Sequence, residues 1–176
     1  KTNAPRSADP FRTGHRLPRE IVIAWAGRHQ RSAWEELSSD YRQRISRWMP
    51  IRDLAVRARA APEDPQRLRL EGEAILAALP ADAWLIALDR TGVRVSSEEL
   101  AAELTRLRCE WPHAIAFAIG SDLGLDRAVV DKARKILSFG AMTFGHELAR
   151  LLLYEQLYRA LSIEAGMSYH REPLRG

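Results

Sequence analysis

The feature that most constrains this chain is a set of short apolar runs, each stopped by glycine or a polar residue. Ile21-Val22-Ile23-Ala24-Trp25-Ala26 halts at Gly27, Trp84-Leu85-Ile86-Ala87-Leu88 at Asp89, and Ala114-Ile115-Ala116-Phe117-Ala118-Ile119 at Gly120. Runs this short, apolar at every position, suit strands covered on both faces. Strands of that kind belong to parallel sheets, whose crossover helices cover both sides. The intervening segments supply those helices. Ser32 with Glu35 forms a capping box ahead of Trp34, Leu37, Tyr41, Ile45 and Trp48, which are spaced for one inner face, with Pro50 as the stop. Asp64-Pro65 puts a cap before a proline and opens a helix carrying Leu68, Leu70, Ile75, Leu76 and Leu79. Ser96 with Glu99 repeats the capping box before Leu100, Leu104 and Leu107.

Weaker signals complete the pattern. Residues 51–58 predict a strand interrupted by arginines, and Asp89 through Gly92 predicts a turn. A short helix over about 126–135 precedes the strand-like Ile136-Leu137-Ser138-Phe139, and a long helix spans about 146–162. The rhythm predicts an α/β fold with a mostly parallel sheet flanked by helices.

A length of 176 residues suits one domain with a substantial core, and no apolar run approaches transmembrane length. Residues 1–19, with Pro5, Pro10, Pro18 and scattered arginines, show no period and read as a basic, flexible arm, a transit piece or an extended start. Residues 20–176 read as the single domain. The net charge of +4 invites a nucleic-acid partner, but most of the excess sits in the arm, and residues 21–176 hold 22 basic and 21 acidic groups. Arginine outnumbers lysine 24 to 3, which favours planar forks suited to phosphate and base stacking. The single cysteine, Cys109, forms no internal disulfide, and a reducing cytoplasm fits best.

In open α/β sheets, ligands bind beyond the carboxyl ends of the strands. Gly120-Ser121-Asp122-Leu123-Gly124-Leu125-Asp126 allows close backbone approach at a helix start, yet it lacks the GxGxxG and phosphate-loop signatures. On spacing alone it reads equally as a plain strand-to-helix turn. Phe139-Gly140-Ala141-Met142-Thr143-Phe144-Gly145-His146 is either a backbone grip with apolar walls or a core-packed connection. His146-Glu147 lacks the second histidine of H-E-x-x-H, the other histidines are scattered, and no metal site is expected. No G-x-S-x-G elbow is present, and Cys109 has no activating base beside it.

These blocks, in this order, resemble the RlmH-type SPOUT methyltransferases. The resemblance runs from about Ile21 to Glu172. It rests on Ala26-Gly27-Arg28, a helix containing Tyr41, Glu71-Gly72-Glu73-Ala74-Ile75-Leu76, Leu88-Asp89 with Gly92, and Ile119-Gly120 with Gly124-Leu125. It continues through Leu137-Ser138-Phe139, Met142-Thr143-Phe144, His146, Arg150, Glu155-Gln156, Tyr158-Arg159-Ala160 and the tail Tyr169-His170-Arg171. Many relatives have glycine at the position of Ser121 and proline at that of Gly145, which puts the loop shapes in question.

The resemblance implies a C-terminal trefoil knot, a feature chain grammar does not predict. It also implies S-adenosylmethionine held by Leu88, Gly120 and the run Phe139, Gly140, Ala141, Met142, Thr143 and Phe144. The implied activity is methylation of N3 of a pseudouridine in helix 69 of 23S rRNA, by a homodimer acting on the 70S ribosome. The base-facing group would be His146, Tyr169, His170 and Arg171, the tail coming from the second subunit. Arg28, Arg127 and Arg134 are either rRNA phosphate contacts or ordinary surface charges. A SPOUT enzyme for another RNA such as tRNA, and a non-catalytic ribosome-binding or assembly factor, are the competing readings; a flavodoxin-like nucleotide binder is a third.

Overall fold

Strand β1 (Ile21–Ala26) is buried at every position. The computed structural model describes residues 20–28, 32–57, 63–167 and 169. Along the chain follow α1 (Ala33–Ile45), β2 (Ile51–Val56), α2 (Asp64–Ala78), β3 (Trp84–Arg94), α3 (Ser97–Glu110), β4 (Ile115–Ile119), α4 (Arg127–Lys132), β5 (Lys135–Ser138) and α5 (His146–Glu164). The strands form one five-stranded sheet in the order β2-β1-β4-β3-β5. Every pairing is parallel, as the apolar runs predict.

The two faces of the sheet differ in size rather than polarity. Ile21, Ile23 and Trp25 of β1, with Ile115, Phe117 and Ile119 of β4, pack with Ile45 of α1, Leu100, Leu104 and Leu107 of α3, and Leu153, Leu157 and Leu161 of α5. The alternate positions Val22, Ala24, Ala26, Ala116 and Ala118 face the other way, onto Ile75 of α2 and Val129 of α4. The period of two expected of a strand is present, written in side-chain volume.

Both serines cap their helices, but only Ser96 closes a box, since the Glu35 carboxylate is taken by Arg42 and Arg150. Ser32 accepts the Glu35 N–H at 3.2 Å. Ser96 and Glu99 close a reciprocal capping box at 3.1 and 2.7 Å. In the second helix the cap is Glu63 instead, and Asp64 is already helical. Helix α1 ends at Ile45 and the chain turns before Pro50. Trp34 and Leu37 do not join its inner face, being 39% and 50% exposed. The stretch Asp89–Gly92 is not a terminal turn. Asp89 accepts the Thr91 N–H at 2.8 Å, which kinks the strand, and pairing resumes with Val93 opposite Leu137. Gly92 is required there, because a Cβ would lie 2.6 Å from the Ile136 backbone. Strand β2 forms at the edge despite its arginine and aspartate: Arg52 pairs outward with Glu20 at 2.6 Å, and the Asp53 side chain points inward, 2% exposed.

The connection through α4 carries the chain from β4 past β3 to the edge strand β5. From β5 it returns to the opposite face, where α5 packs on α1 and α3. Residues 1–19, expected as an arm, lie outside the described residues.

Candidate active site

The parallel register sets Leu88 of β3 between Ile119 of β4 and Leu137 of β5, a row of apolar side chains at the carboxyl ends of three adjacent strands. Above this row opens a cleft of about 620 Å³, bounded by Leu88–Thr91, Ile119–Leu125, Leu137–Gly140 and Met142–His146, with Ala149. That volume falls in the roughly 300–1,000 Å³ range of small-molecule sites.

Two tight turns shape the cleft. In the first, Gly124 N–H donates to the Ser121 carbonyl at 3.0 Å, and Ser121 Oγ accepts the Leu123 N–H at 3.2 Å. Gly120 is enclosed by this turn: a Cβ there would sit 2.0 Å from the Gly124 carbonyl oxygen. In the second turn Ser138 Oγ donates to the Gly140 carbonyl at 2.9 Å and accepts its N–H at 3.1 Å. Gly140 has φ +145°, a conformation that side chains disfavour. The two turns bring glycine backbone to the cleft, against apolar walls from Leu88, Phe139, Met142 and Phe144.

Seven of the eight residues expected to hold a cofactor come together here: Leu88, Gly120, Phe139, Gly140, Met142, Thr143 and Phe144. Ala141 is exposed within the same loop and is not one of the lining residues. His146, the first residue of α5, lies on the rim. Ser121 and Asp122, within the Gly120–Asp126 segment that the sequence offers as a ligand loop or a plain turn, also line the cleft, as do Asp89 and Thr91 at the end of the β3 apolar run. The Asp122 carboxyl is held below its usual range by hydrogen bonds from Arg67.

Behind His146 lies a charged cluster that the sequence did not reveal. The imidazole stacks on the Trp25 indole, ring centres 6.0 Å apart and 24° from parallel. Trp25 Nε1 donates to Asp53 at 2.5 Å. Arg150, one turn after His146, donates to Asp53 at 3.1 Å and to Glu35 at 2.6 Å; Arg42 donates to the same carboxylates at 3.0 and 2.6 Å. Tyr154 adds a hydrogen bond to Asp53 at 2.5 Å. Burial and the adjacent Asp53 carboxylate raise the Tyr154 hydroxyl above its usual range, so it remains a donor. Burial alone would raise the Glu35 carboxyl, but hydrogen bonds from Arg150 and Arg42 outweigh it and lower the group to about 2. The usable sequence signal was an aspartate inside a strand pattern, since an inward carboxylate demands cationic partners.

A family model described as "Predicted SPOUT methyltransferase" matches residues 20–170. The chain belongs to the SPOUT methyltransferase family. Curated relatives agree. A protein of Solidesulfovibrio magneticus named "Ribosomal RNA large subunit methyltransferase H" is 42% identical over 138 residues, 78% of this chain and 89% of its own length. Proteins of the same name from Xanthobacter autotrophicus and Shouchella clausii are 41% and 37% identical, each over 86% of this chain, and 98% and 99% of their own lengths.

In this SPOUT methyltransferase chain, Tyr169 is not brought to the cleft. Its hydroxyl lies 3.4 Å from Glu155 and 3.5 Å from the Tyr41 hydroxyl, and its ring packs edge-on against Tyr158 at 4.7 Å. At 1.5 Å rise per residue those partners stand roughly 14–18 Å along α5 from His146. His170 and Arg171 lie outside the described residues. Of the surface arginines, Arg28 is exposed, Arg127 pairs with Asp131 at 3.4 Å, and Arg134 lies 4.8 Å from the rings of both Trp84 and Trp111.

Proposed function

We propose that the cleft binds S-adenosylmethionine and that the chain methylates N3 of a pseudouridine in helix 69 of 23S rRNA, within the assembled 70S ribosome in the cytoplasm. The observation that carries this reading is the meeting of Leu88, Gly120 and the Phe139–Phe144 loop in one cleft with His146 beside them. The names of the curated relatives support ribosomal RNA as the substrate. No helix among the described residues is long and apolar enough to cross a membrane.

The lining fits such a cofactor. Apolar walls suit a flat base, and the Gly120 and Gly140 turns let backbone donors and acceptors reach its edges. When bound, S-adenosylmethionine supplies an electrophilic methyl group on a sulfonium sulfur. The protein's share is chiefly positional, holding acceptor and donor in line and excluding water. The imide N3 must lose its proton to become a useful nucleophile. An uncharged imidazole at His146 or His170 accepts it, and Arg171 favours the resulting anion. Tyr169 completes the base-facing group.

A homodimer follows from the same reading, because Tyr169 in one protomer is held beside Tyr41 and Tyr158, away from its own cleft. The tail of a second copy then completes the site. Helix α5 offers a surface for it in the half-buried Leu148, Leu151 and Leu152. The trefoil knot belongs to this proposal too, with the Asp89–Arg94 segment laid against β5 and the chain returning from β5 to α5. The domain is taken as residues 20–176, with residues 1–19 as its arm.

The test is methyl transfer from labelled S-adenosylmethionine to 70S ribosomes, free large subunits, naked rRNA and tRNA, with mass mapping of the product. Incorporation at one helix 69 pseudouridine, greatest on 70S ribosomes, is the expected result. Labelled tRNA alone would redirect the substrate, and cofactor binding without any transfer would make the chain a non-catalytic binder.

A further inference from the structure

Helix α2 does not line the cleft, yet it holds the cleft's β4 wall at successive points. Glu71 Oε2 accepts the Ser121 hydroxyl proton at 2.6 Å. Arg67, one turn earlier on the same helix face, donates to both carboxylate oxygens of Asp122 at 2.8 and 2.9 Å. Gly72 lies so close to Asp126 that a Cβ would come within 2.5 Å of the Asp126 Cβ. Asp126 in turn caps α4, accepting the Ala128 N–H at 2.9 Å.

The Glu71 bond decides how the turn closes. Ser121 has one hydroxyl proton, and Glu71 takes it; the oxygen is then oriented to accept the Leu123 N–H and close the turn around Gly120. If Ser121 rotates, the Ser121–Gly124 turn loosens and the backbone that faces the ligand moves with it.

We infer that Glu71 and Gly72 of α2 are positioning residues that set the cofactor affinity of the cleft by pinning the Ser121–Asp126 wall from outside. This rests on the reading of the cleft as an S-adenosylmethionine site. The wall is supplied by β4 and its loop, whereas His146 is carried by α5, so α2 acts on cofactor binding and leaves the chemical step alone. A wall already closed in the binding conformation removes ordering cost from the binding event.

The experiment is calorimetric titration of the protein with S-adenosylmethionine, together with kcat and cofactor KM on 70S ribosomes. Glu71→Ala and Ser121→Ala should each weaken binding about five- to ten-fold, the scale of one ordinary hydrogen bond. Their double variant should be no weaker than either single one, since both remove the same bond. Glu71→Gln, which still presents an acceptor oxygen, should stay within about two-fold of the parent, and Gly72→Ala should behave like Glu71→Ala. At saturating cofactor kcat of the Glu71 and Gly72 variants should remain within about two-fold, with unchanged circular dichroism. A parent that binds no S-adenosylmethionine overturns the reading of the cleft, and this inference with it. A parent that binds, alongside alanine variants of equal affinity or of reduced kcat at unchanged affinity, overturns this inference alone.

Discussion

The guanidinium of Arg150 lies 4.1 Å from the centre of the Trp25 ring while its terminal nitrogens hold Asp53 and Glu35. One side chain thereby ties β1, β2 and α1 to the first turns of α5. Arg150 is 1% exposed, so its removal strips a cation from a buried cluster of carboxylates. Breaking a buried pair from one side costs about 3–5 kcal/mol, and with Arg42 still present we expect Arg150→Leu to cost about 3 kcal/mol. Urea denaturation measures it. A loss below about 1 kcal/mol would mean that Arg42 alone balances the cluster.

Glu35 makes the same cluster sensitive to acid. Its carboxyl is lowered from 4.5 to about 2 in the folded protein. A group lowered on folding contributes its stability above the unfolded value and loses it as pH falls toward the folded one. The denaturation midpoint should therefore decline between about pH 5 and pH 2. Glu35→Gln should be less stable at pH 7 and show a shallower decline over that window. Parallel curves for the two proteins would remove Glu35 from the account.

The arrangement of this cluster was not legible in the sequence, whereas the sheet was. Unbroken apolar runs can be buried only between two layers, so β1, β3 and β4 and their parallel pairing followed directly. The serine cap at Ser32 and the capping box at Ser96 were legible because cap and partner sit three residues apart. Long-range polar contacts have no such local signature: Asp53 and Arg150 are separated by 97 positions, and only folding makes them neighbours. Trp34 and Leu37 misled for the opposite reason, since their spacing fits an inner face but the structure leaves them exposed. Most of the cleft was legible once strand ends were taken as ligand sites; the pairing of Ser121 and Asp122 with Glu71 and Arg67 was not, because the partners lie 50 and 55 positions apart.

At Gly120 the space available decides the outcome. A methyl group there would collide with the Gly124 carbonyl, so Gly120→Ala must open the turn that forms the cleft wall. We expect cofactor affinity to fall at least about ten-fold, equivalent to 1.4 kcal/mol. Gly140→Ala meets no neighbour, and its cost is backbone strain of about 1–3 kcal/mol at φ +145°. Its affinity loss should be the smaller of the two, as equilibrium dialysis with labelled cofactor would reveal.

The residues assigned to the base should separate from those assigned to the cofactor. His146→Ala and the double variant His170→Ala/Arg171→Ala should lower methylation about 10²-fold or more, the usual scale of a lost acid–base group. Binding of S-adenosylmethionine should change little in the tail variant. Unchanged turnover in that variant would sink the role given to the tail.

The alternation of large and small side chains in β1 and β4 acts as a key for alignment. A sheet buried on both faces has no wet side, so polarity cannot tell one strand offset from the next. A slip of β4 by a single residue would drive Phe117 into the layer sized for Ala116 and Ala118, and leave a void where the ring had been. The same slip would pull Ile119 out of line with Leu88 and carry Gly120 away from the cleft. The volume pattern that makes the core pack thus also sets the position of the floor on which the ligand rests.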